Sequence, residues 1–235
     1  IGSGLVGSEM CIRDSSYREQ IEFAINKSLE MYQKAQEANN VRGLIGAKQC
    51  LANAYMGTGR WEEGKKALEE AHMLLPKLDN VIVHNSVLCQ LVSLSKAKDD
   101  FENLKKYLDE QKSILEDYIR KNPTMEEAFQ DPLIFNELYY AYYYLEMNQS
   151  HPAFEHLQKG AKYLTPHTYF MYRVLYYDAY ALYYRRCKEY DKALSQLDST
   201  IVLLQEAFSS DYVNQLSAKA DILVEAGRSH EALPI

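Results

Sequence analysis

The chain of 235 residues contains few residues that interrupt regular structure, with 10 Gly and 6 Pro. It also lacks any run of the roughly 18 apolar residues that a membrane-spanning helix needs, so the sequence predicts no membrane span. The four cysteines show no CxxC spacing, which argues against a zinc site or a disulfide framework. Three of them, Cys50, Cys89 and Cys187, fall in helical patterns, where we expect small buried core residues.

Positive charge is also scarce. The chain has 26 Lys and Arg against 33 Asp and Glu, which gives a net charge of −7. Because binding to nucleic acid requires clustered Lys and Arg, we expect no nucleic-acid partner. Tyrosine, in contrast, is abundant, with 20 residues of which many lie between positions 139 and 190. A tyrosine covers apolar surface while its hydroxyl stays hydrated or hydrogen-bonded, which suits the seams between helices of a thin protein.

The common catalytic and metal-binding patterns are missing. No GxGxxG, GxxxxGKS or GxSxG motif occurs. The two neighbouring histidines, His151 and His156, are five residues apart, so on a helix they point to different faces. Acidic pairs such as Glu62-Glu63 precede helical patterns, where carboxylates favourably oppose the helix dipole. The sequence therefore predicts no enzyme activity, no metal site and no cofactor.

One segment carries the pattern of a helical hairpin. Its defining residues are Leu51, Ala52, Tyr55, Gly59, Trp61, Gly64, Leu68, Ala71 and Pro76. The pattern resembles the tetratricopeptide repeat (TPR), in which a tight turn joins two antiparallel helices. Small residues at Ala52, Gly64 and Ala71 allow close helix approach, and the large residues fill the gaps. Gly64 departs from the Ala that is usual in this family, at a cost of roughly 1 kcal/mol in helix propensity.

The same pattern recurs along the chain. The residues that follow each turn, which serve as anchors, are Trp61, Phe101, Ser150, Tyr190 and Ser229. The intervals between them are 40, 49, 40 and 39 residues, against a usual period of about 34, so the helices should be longer than usual. The second unit fits least well, because Ser95 and Leu104 depart from the pattern. The longest interval contains Pro123 and Pro132, which favour a helix end and a helix start.

These observations predict an all-α, right-handed TPR-like solenoid of helical hairpins, with repeats of about 40 residues, over residues 16–235. The predicted parts are a half unit (17–40), four units (41–80, 81–122, 131–166 and 167–209) and a truncated unit (210–235). Residues 1–15 lack apolar periodicity and resemble translated sequencing-adapter sequence. The alternative is a disordered leader, and in either case they are set apart from the fold. Because the last unit is cut, we expect a fragment of a longer protein.

The resemblance also implies a function. In TPR proteins the first helices line an inner face that commonly holds a protein or peptide partner. Alignment places these candidates on that face: Gln49, Asn53, Met56, Lys96, Leu138, Tyr142, Leu145, Asp178, Leu182, Arg185 and Asp221. Asn53 is the strongest single candidate, because its amide both donates and accepts hydrogen bonds. The alternative for each residue is a solvated helix face.

The third and fourth units contribute an apolar group of candidates. Leu138, Tyr142 and Leu145, together with Leu182, would form an apolar patch of the kind that often marks an interaction site. The alternative is that the tyrosines simply pack one long helix against the next.

The C-terminal pattern suggests a setting. The ending contains Lys219-Ala220-Asp221, then Gly227-Arg228 and Glu231-Ala232-Leu233-Pro234. Together with the long repeats and the abundant tyrosine, it is similar to the TPR region of Bacteroidetes-type sensor histidine kinases, and this resemblance covers about residues 17–235. This resemblance implies the sensory or interaction region of a truncated bacterial signalling protein, located in the periplasm. A free-standing cytoplasmic TPR adaptor or peptide-responsive regulator is the alternative. None of the kinase motifs occurs in the chain, and the sequence does not predict an oligomeric state.

Overall fold

A computed structural model describes the backbone of residues 3–233 and the side chains of residues 19–233. Ile1, Gly2, Pro234 and Ile235 lie outside the described residues, as do the side chains of the proposed leader, residues 1–15. Within the described part of the chain all regular structure is helical, which confirms the predicted all-α class.

Eleven α-helices make up the described chain. They are α1 (Ser3–Glu37), α2 (Val41–Gly57), α3 (Trp61–Leu74), α4 (Val81–Ala97), α5 (Phe101–Lys121), α6 (Gln130–Glu146), α7 (Ser150–Ala161), α8 (Phe170–Arg186), α9 (Tyr190–Glu206), α10 (Tyr212–Glu225) and α11 (Ser229–Ala232). Four helices that open a repeat, α2, α4, α6 and α8, have 17 residues each, which accounts for part of the long repeat period.

The helices group into two compact units, Ile1–Asp100 (unit 1) and Phe101–Ile235 (unit 2). In unit 1, α1, α2, α3 and α4 pack in chain order. Its fully buried side chains include Ile45, Leu68 and Leu88. In unit 2, α6 packs against α5, α7 and α8, and α9 packs against α8 and α10.

Two apolar clusters form much of the core of unit 2. One surrounds α6 and contains Ile134, Leu138, Ala141, Leu157 and Ala179. The other lies along α9 and contains Ala181, Ala193, Leu194, Leu197, Ile222 and Leu223. Burial of these side chains is the main favourable term in folding.

Each repeat contains the same turn between its first and second helix. One residue of the turn has a positive φ, and these residues are Gly59, Asp99, Asn148, Lys188 and Gly227. The next residue donates a backbone hydrogen bond to the carbonyl five residues back, for example Arg60 to Tyr55 at 2.9 Å. This bond closes the helix end as in the Schellman motif. Two residues after each positive φ comes the anchor residue, and each anchor is the first residue of the second helix.

The weakly matching second unit has this turn as well. Asp100 donates to the carbonyl of Ser95 at 2.9 Å, and Phe101 begins α5. Ser95 and Leu104 are both buried, as expected for the repeat positions to which alignment of the units assigns them. A buried Ser and a buried Leu therefore replace the usual residues without a change of register.

Gly64 has a local steric explanation. A Cβ at this position would lie 2.7 Å from Cγ of Met56 and 3.2 Å from the carbonyl oxygen of Ala52. The first distance is a clash, because α2 and α3 approach closely here. Alanine, the usual residue of the family, would require Met56 to move.

The insertion before the third unit forms two short 3₁₀ turns, Pro123–Met125 and Glu127–Phe129. The ring of Phe129 packs 5.1 Å from the ring of Tyr118 in a tilted arrangement, and Phe129 is buried. α6 then starts at Gln130, so Pro132 lies in its first turn, where a missing N–H costs no helical hydrogen bond.

Candidate functional site

In unit 1, the first helices of two consecutive repeats are joined by an amide ladder, formed by Gln49 and Asn53 of α2 and by Ser86 and Gln90 of α4. Nε2 of Gln49 donates to Oε1 of Gln90 at 2.8 Å and to Oγ of Ser86 at 2.9 Å. Nε2 of Gln90 donates to Oδ1 of Asn53 at 3.0 Å. The ladder therefore brings together two predicted site residues, Gln49 and Asn53, and Asn53 is exposed.

The other two candidates of unit 1 take different positions. Met56 is half-buried and lies against Gly64 of α3, so it serves hairpin packing. Lys96 is half-buried in the last turn of α4, where a cation favourably opposes the helix dipole. Neither belongs to the amide ladder.

In unit 2, a cleft of about 460 Å³ opens beside the C-terminal end of α8. We call it the α8–α10 cleft, and its lining residues are Leu182, Arg185, Arg186, Lys188, Tyr190 and Glu225. Two of them, Leu182 and Arg185, are predicted site residues. The cleft combines three cations with one carboxylate and two side chains that offer apolar surface.

Both arginines of this cleft pair with the final residue of a neighbouring first helix. Nε and Nη2 of Arg185 donate to the two carboxylate oxygens of Glu225 in α10, at 3.0 and 2.5 Å. Nη2 of Arg186 donates to both oxygens of Glu146 in α6, at 2.9 and 3.0 Å. The hydrogen bond to Glu225 raises the pKa of Arg185, and the same bond lowers the pKa of Glu225. Arg185 therefore stays charged at the mouth of the cleft.

Lys188 occupies an unfavourable backbone position. Its φ is +62°, in the left-handed region that glycine or asparagine adopts most easily. The equivalent residues of two other repeats are Gly59 and Gly227. Lys188 is exposed and, among the described residues, has no ion pair. Its ammonium is thus the uncompensated cation of the α8–α10 cleft.

The structure corrects two predicted groove residues. Leu138 is 1% exposed and Leu145 is 2% exposed, so neither side chain is accessible to a partner. Leu138 packs in the core cluster around α6 and lies beside Gly160 of α7. The prediction that Leu138 and Leu145 face the groove is therefore wrong, because both side chains belong to the buried core. Tyr142 is half-buried on the same helix.

The two acidic candidates of unit 2 differ in role. Asp178 accepts hydrogen bonds from Thr200 of α9 at 2.9 Å and from Gln215 of α10 at 3.2 Å. It therefore ties three helices together. Asp221 is exposed, and its charge makes a small further contribution to the raised pKa of Arg185, after the hydrogen bond with Glu225.

A second cleft of unit 2, of about 610 Å³, lies over α6 between α5 and α7. His156 stacks on Tyr140 and Tyr144 at centroid distances of 4.8 and 5.3 Å, and Tyr140 donates to Asp109 at 2.5 Å. Lys105 holds both oxygens of the Asp109 carboxylate. The other two cations of this cleft, Lys112 and Arg120, also pair with carboxylates of α5. The α8–α10 cleft is the better candidate because its Lys188 has no ion pair among the described residues.

The cysteines differ from prediction in their burial. Cys50 is exposed, while Cys89 and Cys187 are half-buried, so the expectation that all three are core residues is wrong. Helical periodicity alone does not say which side of a helix its neighbours cover. Among the described side chains, those of residues 19–233, no group of three or more His, Cys, Asp or Glu is arranged to hold a metal. In the same range no helix has the length and apolarity to cross a bilayer.

Sequence reasoning missed four residues of the α8–α10 cleft: Arg186, Lys188, Tyr190 and Glu225. A signal for two of them does exist. Glu146, Arg186 and Glu225 each end a first helix, at intervals of 40 and 39 residues. Alternating charge at one repeat position predicts pairing between neighbouring repeats, as i and i+4 pairs do on a single helix.

Solved structures share this arrangement of helices. The crystal structure of BtubC (BKLC) from P. vanneervenii aligns with a TM-score of 0.67 and 13% identity, over 91% of this chain and 87% of that chain. A tetratricopeptide repeat protein from Parabacteroides merdae aligns with a TM-score of 0.50 and 14% identity, over 92% of this chain and 77% of that chain. These similarities confirm a TPR-like helical-hairpin fold. No protein-family profile and no curated protein matches the chain.

Proposed function

We propose that the protein is a non-enzymatic binding scaffold, and that the α8–α10 cleft takes an acidic segment of a partner protein. The observation that carries this proposal is the grouping of Arg185, Arg186 and Lys188 in one cleft of a chain whose net charge is −7. Cations that gather locally against the overall charge favour a specific anionic contact over general attraction.

The composition of the cleft supports a peptide rather than a free small anion. Leu182 and Tyr190 lie beside the cations and offer apolar surface. Arginine and tyrosine are both enriched where interfaces concentrate their binding energy. Arginine also matches a carboxylate in a bidentate geometry, as Arg185 already does with Glu225. A partner carboxylate can replace or extend this pairing.

The geometry of Lys188 is a further support. A lysine with a positive φ costs on the order of 1 kcal/mol relative to glycine. Strained positions of this kind cluster at functional sites, where the residue is retained for its side chain. An ammonium without an ion pair at the rim of the cleft is such a side chain.

The proposal is tested with a labelled peptide of alternating glutamate and leucine and with its lysine counterpart, by fluorescence anisotropy. We expect the acidic peptide to bind and the basic peptide to fail. Replacing Arg185 or Arg186 by Ala should weaken binding about tenfold. Arg42→Ala is the matched control, because Arg42 is an exposed arginine of unit 1 with no ion pair among the described residues.

Two results contradict the proposal. One is equal affinity for the acidic and basic peptides, which indicates nonspecific binding. The other is an equal loss of affinity in the Arg42 variant, which places the binding energy outside the α8–α10 cleft. Circular dichroism of each variant separates weak binding from unfolding.

The amide ladder of unit 1 is a second proposed contact, for partner backbone. Asn53 is exposed, and its Oδ1 accepts from Gln90. The amide group of this residue can bind a peptide bond with both a donor and an acceptor. Asn53→Ala should weaken binding of long partners that reach unit 1 and leave the short acidic peptide unaffected.

For the biological setting we propose the sensory or interaction region of a bacterial signalling protein. The support is the sequence resemblance of about residues 17–235 to the TPR region of sensor histidine kinases, carried by the long repeats, the tyrosine content and the C-terminal pattern. A free-standing adaptor is the alternative. Reading the source gene across both ends separates them. A membrane helix followed by kinase motifs supports the sensor, and a stop codon soon after residue 235 contradicts it.

A further inference from the structure

A fully exposed aromatic residue, Phe208, lies two residues after the end of α9. Phe208 is 98% exposed, and its φ is +53°. Both properties are unfavourable for a phenylalanine, because apolar surface is left in water and the backbone adopts a conformation suited to glycine or asparagine. An exposed aromatic residue in a strained turn is a candidate anchor for an interface.

A cleft of about 500 Å³ lies between the first half of α8 and residues 195–206 of α9, so its lining ends two residues before Phe208. We call it the α8–α9 cleft. Its apolar lining comes from Tyr177, Val202 and Leu203, and Val202 is 50% exposed. Glu206 lines the same cleft and precedes Phe208 by two residues. An exposed aromatic group thus lies two residues along the chain from the lining of an apolar recess.

Two of the three charged residues of this cleft have no ion pair among the described residues. Arg173 is half-buried and Glu206 is exposed, and neither has an ion pair in the part of the chain that the structure describes. Asp198, the other charged residue of the cleft, is paired with Lys219 at 2.5 Å. The cleft therefore carries one unmatched cation and one unmatched anion.

We infer that a second copy of this chain occupies the α8–α9 cleft, in a two-fold symmetric dimer. A two-fold interface uses the same surface on both copies, so that surface must complement itself. This surface carries an apolar group and a recess, and also a cation and an anion. In the dimer Phe208 enters the recess of the second copy, and Arg173 pairs with Glu206 of the partner subunit, each contact occurring twice.

The inference is independent of the α8–α10 cleft and is tested on the purified protein by sedimentation equilibrium over a range of concentrations. We expect a concentration-dependent dimer. Phe208→Asn should raise the dissociation constant about thirtyfold or more, as for an interface anchor. Because asparagine tolerates a positive φ, the same variant should keep or raise its melting temperature. Met73→Ser, which removes an apolar side chain that is 67% exposed in unit 1, is the control.

A charge exchange tests the pairing. Arg173→Glu and Glu206→Arg should each weaken the dimer about tenfold, because each places like charges together. The double variant R173E/E206R restores opposite charges across the two-fold axis and should recover most of the affinity.

Three results overturn the inference. A protein that is monomeric at every concentration has no second copy on this surface, and the exposed Phe208 then serves a different partner. A dimer that Phe208→Asn and Arg173→Glu leave unchanged uses a different face. A double variant that is no tighter than the single variants excludes the pairing of Arg173 with Glu206.

Discussion

The two units join their first helices by different chemistry. In unit 1, neutral amides connect α2 and α4 through Gln49, Gln90 and Asn53. In unit 2, ionic pairs connect α8 to α6 and to α10 through Arg186 and Arg185. Neutral hydrogen bonds respond little to salt, whereas partly exposed ion pairs are screened by it. The same backbone repeat therefore supports one face that is insensitive to ionic conditions and another that responds to them.

A second difference lies in the core of the first helices. Unit 1 has Leu51 and Leu91 at a position where unit 2 has Tyr140 and Tyr180. The leucines are 3% and 1% exposed. Burial is the main cause that raises the pKa of both tyrosines, and the hydroxyl of Tyr140 reaches Asp109 of α5. Replacing leucine by tyrosine thus adds polar contacts while the repeat is kept.

The largest loss of stability is expected from substitutions at a repeat position that the two units share. Ala52 of unit 1 and Ala181 of unit 2 hold the same repeat position and are 0% and 3% exposed. Replacing either by Leu should overpack a helix contact and lower the free energy of unfolding by about 1–3 kcal/mol, as should Ala193→Leu. Denaturant unfolding measures this, with the exposed Gln205→Leu as control. Unchanged stability in the Ala181 and Ala193 variants contradicts the repeat register.

The second-largest change in stability is expected at a repeat position where the two units have different residues. Gly64 of unit 1 corresponds to Ala193 of unit 2. Gly64→Ala should destabilise by about 1 kcal/mol, because the clash with Met56 exceeds the gain in helix propensity. In a Met56→Ala background the same change should be close to neutral. A stabilising Gly64→Ala in the wild-type background disproves the proposed clash.

A similar effect is expected for the tyrosines of unit 2. Tyr140→Phe should lower stability by about 1 kcal/mol through loss of the hydrogen bond to Asp109. Tyr143→Phe is the control, because no side-chain hydrogen bond involves Tyr143 in the described chain. If both variants lose the same stability, the hydroxyl of Tyr140 has no special role.

The same tyrosines predict a dependence on pH. The pKa of Tyr140 and of Tyr180 is raised in the folded state, and that of Tyr183 is raised to about 12, mainly by burial. Their contribution is therefore complete below the unfolded pKa of about 10 and is lost as the pH rises above it. The melting temperature should fall above that pH, and less steeply in Tyr140→Phe. If the melting temperature falls equally steeply with pH in Tyr140→Phe, the loss of stability comes from other titrating groups.

The smallest effect tests the contrast between amide and ionic contacts. A double-mutant cycle on Arg185 and Glu225 should give a coupling of about 0.5–1 kcal/mol in low salt, because the pair is partly exposed. High salt should reduce it. A cycle on Gln49 and Gln90 should give about 0.5 kcal/mol at both salt concentrations. Equal salt dependence in the two cycles removes the proposed contrast between the units.

The fold followed from the sequence because the repeat places small residues and turns at fixed intervals. All five anchor residues begin a second helix, including Phe101 of the weakly matching unit. Periodicity identifies one face of a helix, and α6 contacts helices on several sides. Leu138 and Leu145 were therefore assigned to a groove although they are buried. Lys188 could not be predicted as a site residue, because a residue in a turn carries no periodic signal.

Lys188 gives the most direct test of the proposed binding site. Replacing Lys188 by Gly removes a cation from the α8–α10 cleft. It also relieves backbone strain, because glycine adopts the positive φ of this position without a steric penalty. The proposal predicts opposite changes: stability rises by about 1 kcal/mol, and affinity for the glutamate–leucine peptide falls severalfold. Melting and anisotropy on the same sample measure both. Higher stability with unchanged affinity would contradict a role for this cleft in binding acidic partners.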